Sequence, residues 1–199
     1  MKLFGTVTSP YVRRVRIVAA ELGEPVEMID TTTESGQAEL RDTSPIWKVP
    51  TAVLDDEVVL DSRSIIDALI VKHGHGGLRC TPVERRWVES NLHHVIDGAL
   101  DSTINGFYLH NRDGVAYDKS SYLTKQRDRT RSAMTWLDGR VGSGQLDGQA
   151  GLGVTEIALV TTVAWMQFRA TYPVADHANL IELLAAHAER DSLVATQHG

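Results

Sequence analysis

Three short stretches of this chain hold residues that can do chemistry together. The first is Ser9-Pro10-Tyr11-Val12-Arg13, directly after the strand-like opening Met1-Lys2-Leu3-Phe4-Gly5. Ser9 can cap a helix whose first residue is Pro10, because proline lacks the N–H that a first turn leaves unpaired. Free backbone N–H groups, the positive end of a helix dipole and a hydroxyl then meet at one point, which suits an anion. A thiol of pKa ~8.5 placed there is favoured as its thiolate. The Ser9 hydroxyl can donate to that sulfur. It is not read as a nucleophile, since no base stands ready to activate it. Thr8 is a competing hydroxyl, and plain helix capping is the competing role for Ser9.

The second stretch is Trp47-Lys48-Val49-Pro50-Thr51. Proline makes a cis peptide bond affordable at Val49-Pro50. A cis bond at the start of a strand turns the backbone of Val49 outward, where its N–H and C=O can pair with an extended ligand as with an added strand. A trans proline opening an edge strand is the alternative. The third stretch is Asp61-Ser62-Arg63-Ser64-Ile65. At a helix start, Ser62 and the backbone N–H groups can hold a carboxylate, while Asp61 attracts an amine. An α-amino acid head carries both groups side by side. Capping by Asp61 alone is the alternative. The three stretches together describe a site for a peptide-like thiol held as a thiolate.

The elements that must position these residues follow from periodicity. Residues 1–77 mix short strands and helices, and residues 78–199 read as helical. Val15, Val18, Ala19 and Leu22 form a helical stripe closed by Gly23. Val26, Met28 and Ile29 fit a second strand, and residues 35–42 a short helix or loop. Thr51 to Leu54 and Val58 to Leu60 flank a turn at Asp55-Asp56-Glu57. A helix follows with Ile65, Ile66, Leu69 and Ile70 apolar. Strand, helix, strand, hairpin and helix predict a mixed four-stranded sheet of thioredoxin-like α/β type. His73-Gly74-His75-Gly76-Gly77 ends that domain as a linker. Thr81-Pro82-Val83-Glu84 reads as a capping box opening a helix to about Phe107. Further helices are expected over about 122–141, on the Ile157, Val160, Thr161, Ala164 and Phe168 face, and on the Leu180, Leu183, Leu184 and His187 stripe. A loop with five glycines joins Gly142 to Gly153.

Composition excludes several classes. The chain has 199 residues, 42% of them hydrophobic and 23% charged, as in a globular protein whose core needs no disulfide staple. A net charge of -6 argues against nonspecific nucleic-acid binding. Arg13, Arg14 and Arg16 are a local exception, expected on a solvated helix face or a subunit contact. Cys80 is the only cysteine, so no internal disulfide forms and a reducing compartment, the cytoplasm, is expected. Cys80 lies in a glycine-rich connection and is read as structural. The start lacks the apolar run of a signal peptide, and the run near Ile157 to Met166 is too short to cross a bilayer. His73 and His75 lack a carboxylate or thiolate at matching spacing, so no metal site is expected.

These motifs, in this order and spacing, resemble the glutathione S-transferase family over nearly the whole chain, and within it the small bacterial members with a serine-type site. Ser9-Pro10-Tyr11-Val12-Arg13 matches the family's first helix start. Ser44-Pro45-Ile46-Trp47-Lys48-Val49-Pro50 is similar to its Asn-Pro-x-Gly-Lys-Val-Pro signature, and Asp61-Ser62-Arg63-Ser64-Ile65 to its Glu-Ser-x-Ala-Ile. The resemblance implies a glutathione-binding domain over 1–77, an all-α domain over 78–199 carrying the acceptor-substrate site, and a homodimer. By position, Ser9 (or Thr8) would be the thiol partner, Val49 beside cis-Pro50 would pair with the cysteinyl backbone, Asp61 and Ser62 would hold the γ-glutamyl head, and Lys48 would face the glycyl carboxylate. Glutathione would be a co-substrate, with no permanently bound cofactor. There are departures. Trp47 replaces the family's glycine, Gly153 stands where a Ser or Thr usually caps the buried helix, and Glu156 replaces an Asp. The absence of cysteine at position 9 argues against glutaredoxin-like chemistry.

The acceptor pocket is expected in a cleft between the two domains, with Tyr11, Trp87, Asn91, His94, Tyr108 and Trp165 as wall residues. His93 or His94 could offer an imidazole as acid or base there. The leading expectation is an enzyme that conjugates the glutathione thiolate to an electrophile or uses it to reduce a peroxide, in a detoxification role. A binding or scaffold protein that keeps the fold without turnover, and a hydrophobic ligand carrier, are the rivals.

Overall fold

The computed structural model describes residues 1–146 and 151–197. The middle of the Gly142–Gly153 loop therefore lies outside the described residues. The chain divides into two compact units, Met1–Cys80 together with the segment from Ala188 onward, and Thr81–His187.

The first unit runs β1 (Lys2–Gly5), α1 (Pro10–Leu22), β2 (Glu27–Asp30), α2 (Glu34–Thr43), β3 (Thr51–Leu54), β4 (Glu57–Leu60) and α3 (Ser62–His73). The sheet order is β2-β1-β3-β4. β1 and β2 are parallel, because α1 crosses between them, and the other pairings are antiparallel. This is the thioredoxin-like α/β arrangement expected from the sequence. The β3–β4 hairpin closes through Asp55 and Asp56, with φ of 50° and 67°. Positive φ at both central residues is what a two-residue turn between twisted strands requires, and aspartate tolerates it better than most residues.

Gly23 ends α1 in the left-handed region at φ 70°, its N–H bonded to the carbonyls of Ala19 and Ala20. Leu3, Phe4, Val15, Val18, Ala52, Ile65 and Leu69 are buried and form the core of this unit. Gly5 is needed for a different reason. A Cβ there would come within 2.3 Å of the Val12 Cγ2 atom, so β1 and the first turn of α1 approach more closely than any other residue allows.

The C-terminal segment closes this unit through the single turn α8 (Asp191–Val194). Arg190 forks onto Glu21, with Nε to Oε1 at 2.7 Å and Nη2 to Oε2 at 2.8 Å. Ser192 also donates to Glu21. The Arg190 hydrogen bonds hold the Glu21 carboxyl below its usual range. Arg13 donates from Nη2 to the Leu193 carbonyl at 3.2 Å. This corrects the expectation of a solvated basic face. Arg13 and Arg14 are 5% and 0% exposed, and burial lowers the pKa of Arg13. The packing of α1 in this unit, with the C-terminal turn against it, removes from water what the sequence presents as a charge run.

The second unit contains α4 (Arg86–Gly106), α5 (Ser121–Gly142), α6 (Val154–Phe168) and α7 (Ala178–His187). A wider π-helical stretch, Phe107–Arg112, continues α4. The expected capping box at Thr81 does not form. A 3-10 turn over Val83–Arg85 precedes α4, and Pro82 is extended at ψ 145°. The Thr81 hydroxyl donates instead to buried Glu89, at 2.8 Å. Helix α6 is buried on nearly every side, from Thr155 to Val163, rather than on one face. That marks it as the central helix of its unit. Thr161 and Thr162 satisfy their hydroxyls on the Ile157 and Ala158 carbonyls, each at 2.8 Å. Gly153 caps α6 without a side chain, so only the reciprocal half of a capping box exists, with Gly153 N–H donating to Glu156 Oε2 at 3.0 Å. Among the described residues no helix is long and apolar enough to cross a membrane.

Candidate functional site

Strand register brings the three chemical stretches together. Phe4 pairs with Thr51 across β1 and β3, and Thr51 pairs with Leu60 across β3 and β4. The exit of β1 toward Ser9, the entry of β3 from Pro50 and the exit of β4 toward Asp61 therefore share one end of the sheet. A further bond ties two of them, since Asp61 N–H donates to the Pro50 carbonyl at 3.3 Å.

At the first stretch, Ser9 N–H bonds the Thr6 carbonyl at 3.1 Å, which closes the turn out of β1. Ser9 is the N-cap of α1, with extended backbone and Pro10 at the first helical position. Its Oγ accepts from Val12 N–H at 3.3 Å. That bond uses a lone pair and leaves the hydroxyl proton free to donate. Thr8 differs. Its Oγ1 lies 3.2 Å from Thr6 Oγ1, so its hydroxyl already has a local partner. Tyr11 is half-buried, with the Arg14 guanidinium 4.9 Å from its ring centre.

At the second stretch the Val49-Pro50 bond is cis. Among the described residues neither the N–H nor the C=O of Val49 has a hydrogen-bond partner. The loop is held instead by Thr51, whose hydroxyl donates to the Lys48 carbonyl at 2.8 Å. The Lys48 side chain is exposed and has no ion-pair partner among the described residues. Trp47 has φ 52°, in the left-handed region. A glycine adopts that conformation freely, whereas another residue pays roughly 1–2 kcal/mol. The tryptophan thus departs from the family signature in side chain but keeps the backbone that a glycine would take. The ring is 63% exposed, with the Arg41 guanidinium 6.0 Å from its centre.

At the third stretch Asp61 caps α3 with φ 72°, and its carboxylate accepts from Arg63 N–H at 2.8 Å. Its residue is exposed, so carboxylate lone pairs remain for a ligand amine. Ser62, at the first turn of α3, is 2% exposed. This end of the sheet therefore offers a donor hydroxyl on a helix N-terminus, an unpaired backbone segment at Val49, and a carboxylate beside a second helix N-terminus. An anionic sulfur, a peptide backbone and an amino-acid head are the groups that match.

The other sequence candidates lie in the second unit. Trp87, Asn91 and His94 are exposed along α4, and Tyr108 is exposed in the π-helical stretch. Trp165 is buried, packed edge-on to Phe107 with ring centres 5.8 Å apart. Of the two adjacent histidines, His93 is buried, with Nε2 3.8 Å from Asp97, and His94 is exposed. His73 Nε2 lies 2.7 Å from Glu24, and His75 Nε2 lies 3.5 Å from the Sγ of Cys80, which is exposed rather than packed away. Sequence reasoning missed Thr51 as the residue that fixes the Lys48 loop. A hydroxyl directly after the proline was the available signal.

Residues 3–77 match the family model for the glutathione S-transferase N-terminal domain. The chain is 25% identical over 201 residues to the uncharacterized GST-like protein YibF of Escherichia coli (strain K12), covering 99% of this chain and 98% of that protein. It is similar to the crystal structure of a glutathione transferase family member from Pseudomonas fluorescens Pf-5 with bound glutathione, at 26% identity, TM-score 0.83, 100% of this chain and 98% of that one. It also shares the fold of a glutathione S-transferase from Methylobacillus flagellatus KT with glutathione bound, at 22% identity, TM-score 0.84, 100% of this chain and 99% of that one.

Proposed function

We propose that this chain, whose residues 3–77 match the glutathione S-transferase N-terminal domain, binds glutathione in its first unit, holds the sulfur as a thiolate at Ser9 and delivers it to an electrophilic small molecule. The observation that supports this most is the register of β1, β3 and β4, which brings the Ser9, Val49-Pro50 and Asp61-Ser62 stretches to one end of the sheet. Bound glutathione in the Pseudomonas fluorescens relative supports the choice of thiol.

Each group then has a task. The Ser9 hydroxyl donates to sulfur, and the N-terminal N–H groups of α1 add positive potential. Val49 pairs through its N–H and C=O with the cysteinyl backbone. Asp61 holds the γ-glutamyl amine, Ser62 and the first turn of α3 hold its carboxylate, and Lys48 faces the glycyl carboxylate. The thiol proton leaves to solvent. The thiolate then forms a carbon–sulfur bond with the electrophile as the leaving group departs, and proximity to the bound thiolate lowers the barrier further. Peroxide reduction would begin from the same thiolate and needs a second glutathione to complete. The family resemblance makes a homodimer the expected assembly, and the single cysteine supports a reducing compartment such as the cytoplasm.

The test is retention on immobilised glutathione followed by turnover of a generic aryl halide. Retention with turnover is the expected result. Retention without turnover would reassign the chain as a binding protein of this fold. Absence of retention would overturn the proposal.

A further inference from the structure

A second set of chemical groups lies wholly within the helical unit. A cavity of about 290 Å3 opens there between the end of α4, the start of α5 and the chain after α6. None of the acceptor-site candidates Trp87, Asn91, His94, Tyr108 or Trp165 lines it. Its volume is at the lower end of the range for small-molecule sites, which fits a ligand of one ring.

Two wall residues carry hydroxyls with nothing to bond. Ser102 is 2% exposed and, among the described residues, its hydroxyl has no hydrogen-bond partner. Thr171 Oγ1 is likewise buried and unpaired. The Thr103, Thr130 and Tyr172 hydroxyls at the same cavity are satisfied. Thr103 donates to the Ala99 carbonyl at 2.8 Å and lies 3.1 Å from the Thr130 hydroxyl. Buried polar groups are normally bonded, so the orphaned Thr171 hydroxyl, with the unbonded Ser102 hydroxyl on the same cavity, points to an absent partner. A hydroxyl placed so can donate to an acceptor.

The charge and the rings narrow that acceptor. Arg127 brings a guanidinium to the cavity, 5.3 Å from the centre of the Tyr117 ring. Its ion contact is a long one, 3.7 Å to the neighbouring, exposed Asp128. Arginine presents a fork that matches a carboxylate. Phe107 and Tyr117 offer ring faces and edges, and His110 packs 4.6 Å from Tyr117. His110 Nδ1 lies 2.9 Å from the Val115 carbonyl, which can only accept, so Nδ1 carries the proton. In the neutral ring Nε2 is then an acceptor, suited to a ligand hydroxyl. The π-helical stretch Phe107–Arg112 supplies part of this wall, and π-helical turns recur at functional sites.

We propose that this cavity binds a small aromatic carboxylate of one ring, with a ring hydroxyl as an added contact. Arg127 takes the carboxylate, Ser102 and Thr171 donate to its oxygens, and Phe107 and Tyr117 flank the ring. The site needs no glutathione and does not depend on Ser9.

Titration calorimetry on the full chain without glutathione tests this, using 4-hydroxybenzoate, cyclohexanecarboxylate and inorganic phosphate. Binding of 4-hydroxybenzoate is expected, with the saturated acid weaker and phosphate weaker still. Arg127→Gln, a half-exposed position that leaves the core intact, should weaken binding about tenfold through the lost charge-assisted contact. Gly106→Ala places a Cβ 3.2 Å from the Tyr117 hydroxyl and should also weaken it by narrowing the cavity. Ser9→Ala should leave the affinity unchanged. No binding of 4-hydroxybenzoate, equal binding of phosphate, or an affinity untouched by Arg127→Gln would each overturn the proposal.

Discussion

Replacing Ser9 by alanine separates two jobs that one hydroxyl performs. As an N-cap, Ser9 accepts a single bond from Val12 N–H at 3.3 Å, which is long. Loss of a cap costs about 0.5–2 kcal/mol, and a bond of this length belongs at the lower end. As a donor to sulfur, the same hydroxyl makes a hydrogen bond to a charged group, worth about 1.5–3 kcal/mol. That is roughly 1–2 units in the apparent pKa of the bound thiol and about 10–150-fold in thiolate availability. The backbone and carboxylate contacts at Val49, Asp61 and Ser62 are untouched, so affinity for glutathione should change much less than turnover. The assay is a pH titration of the bound glutathione thiol by thiolate absorbance, together with kcat for aryl halide conjugation. Thr8→Ala is the control, because the Thr8 hydroxyl is already 3.2 Å from Thr6 Oγ1. If the bound thiol titrates identically in Ser9→Ala and wild type, the reasoning about the α1 N-terminus is refuted. If the shift appears in Thr8→Ala instead, Thr8 is the thiol partner.

Three further perturbations probe the same unit. Asp61→Asn should keep the α3 cap and tolerate φ 72°, so stability should stay within about 0.5 kcal/mol, while glutathione affinity falls about tenfold with the amine contact; calorimetry and urea unfolding read the two effects separately. Glu24 is buried, which by itself raises its pKa, but hydrogen bonds from the N-terminal ammonium, His73 and Lys72 outweigh this and bring it to about 2 from 4.5. A depressed carboxyl stabilises the fold above its unfolded pKa and loses that contribution as pH falls toward the folded value. Urea unfolding should therefore lose about 2 kcal/mol from this group over that acid window, after allowance for the water-facing Lys72 and His73, and Glu24→Gln should remove this part of the acid dependence while that from Glu21 remains. Gly5→Ala should destabilise by about 1–3 kcal/mol, because the stiff, branched Val12 side chain cannot move aside; thermal unfolding measures it, and an unchanged midpoint would contradict the close approach.

What was legible in the sequence is what short-range rules govern. Ser9 before Pro10, Gly23 after the α1 stripe and the Asp55-Asp56 turn are decided within a few residues of themselves, and the structure has all three where the sequence puts them. Long-range packing was not legible. Arg13 is buried with its side chain on a carbonyl 180 residues away, and nothing near Arg13 in the sequence announces that partner. The grouping of the C-terminal segment with the first unit depends on the same contacts and on the Arg190 fork to Glu21. The Thr81 capping pattern failed because a buried acceptor, Glu89, outcompeted local capping for the hydroxyl. At the site, residue types showed which groups could bind a thiol peptide, but only strand pairing could put them at one end of the sheet. The left-handed Trp47 is the sharpest local miss, since tryptophan gives no sign of a positive φ.

The position of the anion-binding end of α1 rests on a small number of contacts that act in series. Gly5 ends β1, and its missing side chain lets Val12 sit directly on the strand. Ser9 N–H closes the connecting turn on the Thr6 carbonyl, so the hydroxyl is fixed from the strand side. Val12 N–H then reaches back to the Ser9 Oγ, so the same hydroxyl is fixed from the helix side. The residue that packs against Gly5 is therefore the one whose amide orients Ser9. Packing and polarity at this joint are not separable. A change that lifts Val12 from the strand also moves the donor that holds the Ser9 oxygen, and with it the proton available to a ligand. Because β1 pairs through Phe4 with Thr51, the joint is referenced to the strand that begins at cis-Pro50. Functional sites need reacting groups held to a fraction of an ångström by rigid elements. Here that rigidity comes from a glycine and a valine that touch no ligand.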